Sequence, residues 1–142
     1  MIALLDTNVL IALFDSAHVH HGPAHDWLSA DRGSGWATCP ITENGCVRVL
    51  SQPRYPGFLP VVEIARRLRD ATRASDHVFW PDSISVCDPK RFHHGRILTP
   101  KALTDLYLLG LAVENEGRLV TFDAAISRAA VAHAEPRHLV VL

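Results

Sequence analysis

The sequence predicts an α/β fold in which helices cover both faces of a parallel sheet. Short apolar segments, each suited to a strand buried on both faces, recur along the chain and alternate with segments of helical spacing. Alternation of this kind is typical of a parallel sheet with helices on either side. Hydrophobic residues form 48% of the 142 residues, which suits one folded domain with a single core and argues against disorder.

The chain opens with a strand followed by a helix. The apolar run over residues 1–5 stops at Asp6 and predicts a buried strand. Thr7 and Asn8 are residue types that begin helices, and the apolar segment 9–14 continues the first helix. After a polar break, the sequence predicts a short helix over residues 24–30 and a second strand over residues 36–39.

The middle of the chain predicts two helices and a third strand. A helix begins at Pro40, because the apolar residues that follow it recur at intervals of three and four. Three prolines and a glycine between residues 51 and 60 predict a loop. Residues 61–74 form the clearest amphipathic helix. The pattern then predicts a strand over residues 77–80 and a short extended segment over residues 83–86.

The last third of the chain predicts two further strands of the sheet, with a loop and a helix before the first strand and a helix between the two. Residues 88–99 form a loop rich in histidine, arginine and glycine. Thr99 followed by Pro100 predicts the start of a helix, which should end near Gly117. The remaining predicted elements are a strand over residues 119–122, a helix over residues 124–132 and a strand over residues 139–142.

Four acidic residues are expected at one edge of this sheet. Asp6 and Asp123 each follow a strand directly, and the carboxyl ends of parallel strands share the edge at which ligands bind. Glu43 lies in the first turn of the helix after the second strand. Asp105 lies early in a helix that runs antiparallel to the strands, so it also starts at that edge. The four carboxylates are therefore expected to converge.

Each of these acids also has a structural explanation. Asp6 and Asp123 can cap the helices that follow them, and Glu43 can oppose the dipole of its own helix. Asp105 can pair with Lys101 or a nearby arginine. Four independent structural roles give no reason for a shared edge, whereas a divalent cation such as Mg²⁺ or Mn²⁺, which prefers oxygen ligands, would neutralise the cluster. Such a site predicts metal-dependent hydrolysis of a phosphodiester.

Three segments resemble a known family. They are LLDTNVLIALFD at residues 4–15, PITENGCVRVL at residues 40–50 and LTDLYLLGLAVENEGRLVTFD at residues 103–123. In this order and with these separations, the sequence resembles the PIN-domain family, and among its members it is most similar to the VapC-type toxins. Each segment is a weak match by itself, and the three together are specific.

The resemblance implies a PIN-like three-layer α/β/α sandwich with a central parallel sheet, in which residues 1–142 form a single PIN domain. It implies an endoribonuclease that depends on Mg²⁺ or Mn²⁺ and acts as the toxin of a type II toxin–antitoxin system. The implied partners are an RNA substrate, a cognate VapB-type antitoxin that blocks the site, and a second copy in a homodimer. Three cysteines without CxxC spacing indicate a reducing compartment, and without a secretion signal or a membrane-length apolar run the cytoplasm is expected.

The same resemblance assigns roles to particular residues. Glu43 would either bind the metal or position the attacking water, and Asn8 and Thr121 would orient the carboxylates or a metal-bound water. The implied catalytic set is Asp6, Glu43, Asp105 and Asp123, with Asp6, Asp105 and Asp123 as the metal ligands.

Arginine supplies most of the positive charge. The chain has 14 Lys and Arg against 15 Asp and Glu, and only Lys90 and Lys101 are lysines. This balance argues against a protein that is basic over most of its surface, but arginine suits local contacts with phosphate. An exposed helix face or a solvated loop is the alternative explanation for each arginine. The predicted RNA-contacting residues are Arg66, Arg67, Arg91 and Arg96.

Other functions remain open on the sequence alone. A PIN nuclease of RNA processing would need no antitoxin, and a PIN-like module that only binds RNA or protein would need no acidic set. An aspartate after the first strand also occurs in receiver-type and haloacid-dehalogenase-type phosphate sites, but the latter requires a second aspartate where this chain has Asn8. Nine histidines suggest zinc, yet the sequence has neither HExxH nor a Cys/His framework.

Overall fold

A parallel sheet forms the centre of the molecule. The computed structural model describes the backbone of residues 1–142 and every side chain except that of Arg32. The sheet has five strands, all parallel, in the order β3-β2-β1-β4-β5. The predicted α/β class and parallel sheet are therefore confirmed. The strands are β1 (Ala3–Leu5), β2 (Trp36–Thr38), β3 (His77–Phe79), β4 (Arg118–Thr121) and β5 (Leu139–Val141).

The helices begin at the caps that the sequence supplies. Asp6 accepts a hydrogen bond from the backbone N–H of Thr7 at the start of the first helix. Pro40 occupies the first turn of the third helix, and Thr99 caps a 3₁₀ turn, Pro100–Ala102, that leads into the fifth. The helices are α1 (Thr7–Phe14), α2 (His21–Asp31), α3 (Pro40–Leu50), α4 (Val61–Ala71) and α5 (Leu103–Glu114).

The sheet separates two hydrophobic cores. Leu4 on β1 packs into the core that contains the buried face of α5. Its neighbours Ala3 and Leu5 point to the opposite face, where α1, α3 and α4 contribute the apolar side chains. This arrangement confirms the three-layer α/β/α sandwich. In the chain as described, no helix combines the length and the apolar character that crossing a membrane requires.

One predicted element is wrong. Residues 124–132 do not form a helix and contain only the 3₁₀ turn Arg128–Ala130, because backbone bonds tie this segment to residues 91–93. The bridge between Phe92 and Val131 uses groups that a helix would need internally. The short segment over residues 83–86 lies outside the sheet, and its apolar members Ile84 and Val86 pack against the core.

The topology places a crevice beside β1. From β1 the chain crosses to β2 and β3 on one side, and later returns to β4 and β5 on the other. The direction of winding therefore reverses between β1 and β4, where ligands bind in sheets of this kind. Leu5 pairs with Val120 in the register, so the residues that follow them, Asp6 and Thr121, come side by side at the carboxyl edge.

Candidate active site

Asp6 lies at the bottom of the crevice and is only 5% exposed. Its Oδ1 accepts the backbone N–H of Thr7 at 2.7 Å, and its Oδ2 accepts the hydroxyl of Thr121 at 2.6 Å. Burial raises the pKa of Asp6; the two hydrogen bonds oppose this rise, and the nearby charge of Asp123 adds to it. Asp6 therefore caps α1 and also presents a fixed carboxylate to the crevice.

Thr121 connects the ends of β1 and β4. Its fully buried side chain donates to Asp6 and accepts from the backbone N–H of Asp123 at 3.0 Å and from Nδ2 of Asn8 at 3.3 Å. The other end of the Asn8 amide accepts the backbone N–H of Phe122 at 3.4 Å. These contacts are what an orienting role for Asn8 and Thr121 requires, and that role stays a prediction.

Asp105 projects from the first turn of α5 toward the other two aspartates. Partial burial raises its pKa to about 6, with contributions from the charge of Asp6 and from both a hydrogen bond and the charge of Asp123. Asp123 itself is half-buried, and its Oδ1 accepts the backbone N–H of Ala125 at 2.8 Å. The fold thus brings three aspartates, distant in sequence, within electrostatic reach of one another.

Two cavities open beside Asp105. One of about 330 Å³ is lined by Asp105 and Asp123 together with Thr99 and Lys101. The other, of about 440 Å³, is lined by Asp6 and Asp105 together with residues of α3. Asp105 therefore stands where both cavities meet the acidic crevice.

Glu43 is held by a different set of contacts. Its Oε1 accepts the hydroxyl of Thr38 at 2.7 Å, and Nε2 of His77 lies 2.9 Å from the same hydroxyl oxygen. Because the single hydroxyl proton of Thr38 goes to Glu43, Nε2 of His77 must be the donor to Thr38. Glu43 lines a groove of about 680 Å³ between α3 and α4. Its predicted catalytic role stays a prediction.

The aspartates fit a hard divalent cation in donor type and charge. Carboxylate oxygens are the ligands that Mg²⁺ and Mn²⁺ prefer. Burial raises the pKa of Asp105 most, the charges of Asp6 and Asp123 raise it further, and a cation would relieve that repulsion. Among the side chains that the structure describes, no three acidic, histidine or cysteine groups are already arranged to hold a metal ion. The three aspartates are therefore candidate ligands, and the coordination geometry is not preformed.

The arginines predicted to contact RNA are engaged within the chain. Arg66 bonds to Glu63 at 2.7 Å and Asp70 at 3.3 Å, and Arg67 bonds to Glu63 at 3.1 Å. The other two lie in the loop before α5, where Arg91 pairs with Asp88 and Glu114 and Arg96 donates to the carbonyl of Ala129. Contact of these four with RNA stays a prediction.

Sequence reasoning missed four residues at the site. Thr38 is the last residue of β2 and reaches Glu43, and His77 reaches Thr38 from β3. Asn44 and Arg48 line the cavity beside Asp6 and Asp105. A usable signal existed for Asn44 and Arg48, because they are four residues apart on the helix predicted from Pro40 and therefore share a face.

Comparison with known proteins identifies relatives of the whole chain. The PIN domain family model matches residues 3–132. Ribonuclease VapC44 of Mycobacterium tuberculosis (strain ATCC 25618 / H37Rv) is 47% identical over 142 residues, which cover 100% of both chains. Ribonuclease VapC39 of the same strain is 41% identical over 134 residues, which cover 93% of this chain and 96% of that protein.

Solved structures share the fold at low sequence identity. A toxin–antitoxin complex from Klebsiella pneumoniae contains a chain that matches with a TM-score of 0.64 at 22% identity, covering 98% of this chain and 96% of that one. VapBC2 from Rickettsia felis, bound to a DNA fragment from its promoter, matches with a TM-score of 0.63 at 15% identity, covering 100% and 98%. At these identities, the likeness supports the fold and nothing beyond it.

Proposed function

This chain belongs to the PIN-domain family and is a relative of the VapC ribonucleases, and from that premise we propose that it is a metal-dependent endoribonuclease, the toxin of a VapBC-type toxin–antitoxin system. The observation that supports this function best is the grouping of three aspartates at the carboxyl edge of the sheet. The charges of Asp6 and Asp123 both act on Asp105 and raise its pKa. Without a cation, mutual repulsion destabilises such a cluster of carboxylates. With a bound divalent cation, the same cluster can promote hydrolysis of a phosphodiester.

The proposed site works through the chain's own oxygens. Asp6, Asp105 and Asp123 would hold Mg²⁺ or Mn²⁺, and the bound cation would supply positive charge that stabilises the charge developing on the phosphodiester. Thr121 fixes the orientation of Asp6 by its 2.6 Å hydrogen bond. Thr38 donates its hydroxyl to Oε1 of Glu43. The other oxygen, Oε2, stays available to position a water molecule or to accept a proton from it.

The proposed partner is a VapB-type antitoxin. Similarity over nearly the whole chain to ribonucleases VapC44 and VapC39 supports this partner, because a VapC toxin is paired with a VapB antitoxin. Residues 1–142 act as one PIN domain, and a homodimer is the expected assembly. The three cysteines are free thiols, which suits a reducing cytoplasm.

The experiment that tests the proposed function is RNA cleavage by the purified protein. Total RNA is incubated with wild-type protein and Mg²⁺, with wild-type protein and EDTA, and with Asp6→Asn and Mg²⁺. Discrete cleavage in the first reaction alone supports the proposal. Equal degradation in all three reactions indicates contamination and removes the support. Binding without cleavage, on total RNA and on isolated transfer and ribosomal RNA, would favour a non-catalytic module.

A further inference from the structure

One wall of the cavity that contains Asp6 and Asp105 is formed by α3, whose Glu43 lies outside the lining of this cavity. The cavity of about 440 Å³ that contains Asp6 and Asp105 is closed on one side by Asn44 and Arg48 of α3. Residues four apart on a helix lie on the same face, so the amide and the guanidinium face the same space. A cationic donor therefore lines the same cavity as the candidate metal ligands Asp6 and Asp105.

Gly45 allows α3 to approach the crevice this closely. A Cβ at this position would lie 2.7 Å from Cγ2 and 2.8 Å from Oγ1 of Thr7, which is too close for any side chain. Thr7 directly follows Asp6, so the contact presses the α3 backbone against the start of α1. The close packing sets Asn44 and Arg48, on either side of Gly45, at the rim of the aspartate cavity.

The same two residues also border the larger groove. Asn44 and Arg48 line the groove of about 680 Å³ between α3 and α4, so they stand on the ridge between it and the aspartate cavity. Arg69 of α4 lines the groove farther along. Apolar side chains, including Val47 and Ala65, form part of its wall. The two cavities thus share Asn44 and Arg48, and the larger one also has Arg69 and an apolar surface in its wall.

Arg48 and Arg69 differ from the neighbouring arginines in being free to bind an external anion. Arg66, Arg67 and Arg73, in or just after α4, each pair with Glu63 or Asp70. Within the described side chains, neither Arg48 nor Arg69 is paired with a carboxylate. An unpaired, exposed guanidinium beside a hydrolytic site is suited to a phosphate oxygen, because its planar fork can bind two oxygens at once.

We propose that Arg48, assisted by Asn44, binds the RNA phosphate next to the scissile one, and that Arg69 binds a further phosphate along the α3–α4 groove. This inference rests on the proposed ribonuclease function and names the path of its substrate. Single-stranded RNA is the favoured occupant, because its phosphates match the two free arginines and its bases can lie against the apolar wall. Because Asn44 and Arg48 line both the groove and the aspartate cavity, a strand that contacts them can reach both.

The test measures binding of a short, fluorescein-labelled single-stranded RNA of mixed sequence as salt is varied, in the Asp6→Asn background and with Mg²⁺ present. Arg48→Gln and Arg69→Gln are each expected to weaken binding by a few-fold to about tenfold and to lower the slope of log affinity against log salt by about 0.7. Arg48→Lys keeps the charge and should restore the slope. The matched control is Arg137→Gln, which removes an exposed arginine beside Met1 at the opposite edge of the sheet.

Cleavage kinetics on the wild-type background separate this inference from the proposed function. Arg48→Gln is expected to raise KM more than it lowers kcat. If wild-type protein cleaves RNA and Arg48→Gln matches it in affinity, salt slope and KM, the inference is overturned while the function stands. That result would leave the groove to a protein partner. If wild-type protein cleaves no RNA, the proposed function fails, and unchanged RNA binding in both arginine variants would overturn the inference separately.

Discussion

Thr121 donates its hydroxyl proton to Oδ2 of Asp6 across 2.6 Å, although the two residues are 115 positions apart. The bond joins the carboxyl end of β4 to that of β1, at the reversal point of the sheet. It holds a buried carboxylate whose pKa burial raises, and it favours the ionised form that a metal ligand needs. The orientation of Asp6 therefore depends on a residue that has no charge of its own.

Thr121→Val is expected to lower kcat by about 10- to 100-fold, the usual effect of removing a group that orients a metal ligand. Valine keeps the shape of threonine but cannot donate to Asp6. Thr121→Ser keeps the hydroxyl and should retain most of the activity. Steady-state cleavage kinetics, with thermal unfolding to confirm that both variants fold, make the comparison. Equal activity of the valine and serine variants would contradict an orienting role.

Asp105→Asn is expected to increase the metal-free stability near neutral pH by about 1 kcal/mol. The substitution removes a carboxylate whose ionised form is disfavoured by partial burial and by the charges of Asp6 and Asp123. The effect is modest because solvent screens a half-exposed group. Mg²⁺ should raise the unfolding temperature of the wild-type protein and have much less effect on the variant. Thermal unfolding in EDTA and in Mg²⁺ measures both effects. A variant that is less stable than wild type in EDTA would show that Asp105 has a structural partner instead.

Gly45→Ala is expected to destabilise the protein by about 1–2 kcal/mol, although alanine favours a helix, because the new methyl group overlaps Thr7. Replacing Thr7 by alanine removes the two atoms that overlap the methyl group, Cγ2 and Oγ1, and leaves only Cβ at 3.4 Å. The double variant Thr7→Ala, Gly45→Ala should therefore recover stability relative to the sum of the single changes. Denaturant unfolding of the four proteins completes the cycle. Strict additivity would mean that α3 does not pack directly on Thr7.

Acid is expected to destabilise the fold through His138. Burial lowers the pKa of this imidazole, the charge of Arg137 adds to the effect, and Nδ1 accepts the backbone N–H of Glu135 at 2.9 Å. Because its folded pKa is below the unfolded value of about 6.5, the unfolded chain takes up the proton first, and stability falls as the pH drops below that value. His138→Asn keeps a neutral acceptor and should lose less stability between neutral pH and about pH 5. Urea unfolding at both pH values measures this, and an equal loss in wild type and variant would exclude His138 as the cause.

Much of the site followed from the order of elements in the sequence. Asp6 and Asp123 each end a strand, and a parallel sheet brings such ends to one edge. The hydrogen bonds of Thr121 could not be predicted from the sequence, because they depend on which strands are neighbours in the sheet. The expected helix over residues 124–132 failed for a related reason, since Val131 forms a long-range bridge to Phe92 that no local pattern reveals.

For the arginines, local spacing in the sequence already distinguishes paired from unpaired side chains. The pairing of Arg66 and Arg67 with Glu63 follows helical spacing of three and four residues, which is visible in the sequence. Arg48 has no acidic residue three or four positions away on either side, and its free guanidinium lines the cavity beside Asp6 and Asp105. The absence of a local acidic partner therefore marks Arg48 as a better candidate for RNA contact than the paired arginines of α4.

The measurement that tests the central claim most directly is the rate of RNA cleavage as a function of Mg²⁺ concentration for wild type, Asp105→Asn and Asp123→Asn. If the three aspartates hold the catalytic metal, the wild-type rate should rise to saturation, and each variant should require far more Mg²⁺ or remain inactive. Arg137→Gln, altered at the opposite edge of the sheet, should follow the wild-type curve. Identical Mg²⁺ dependence in all four proteins, or full cleavage in EDTA, would contradict the account.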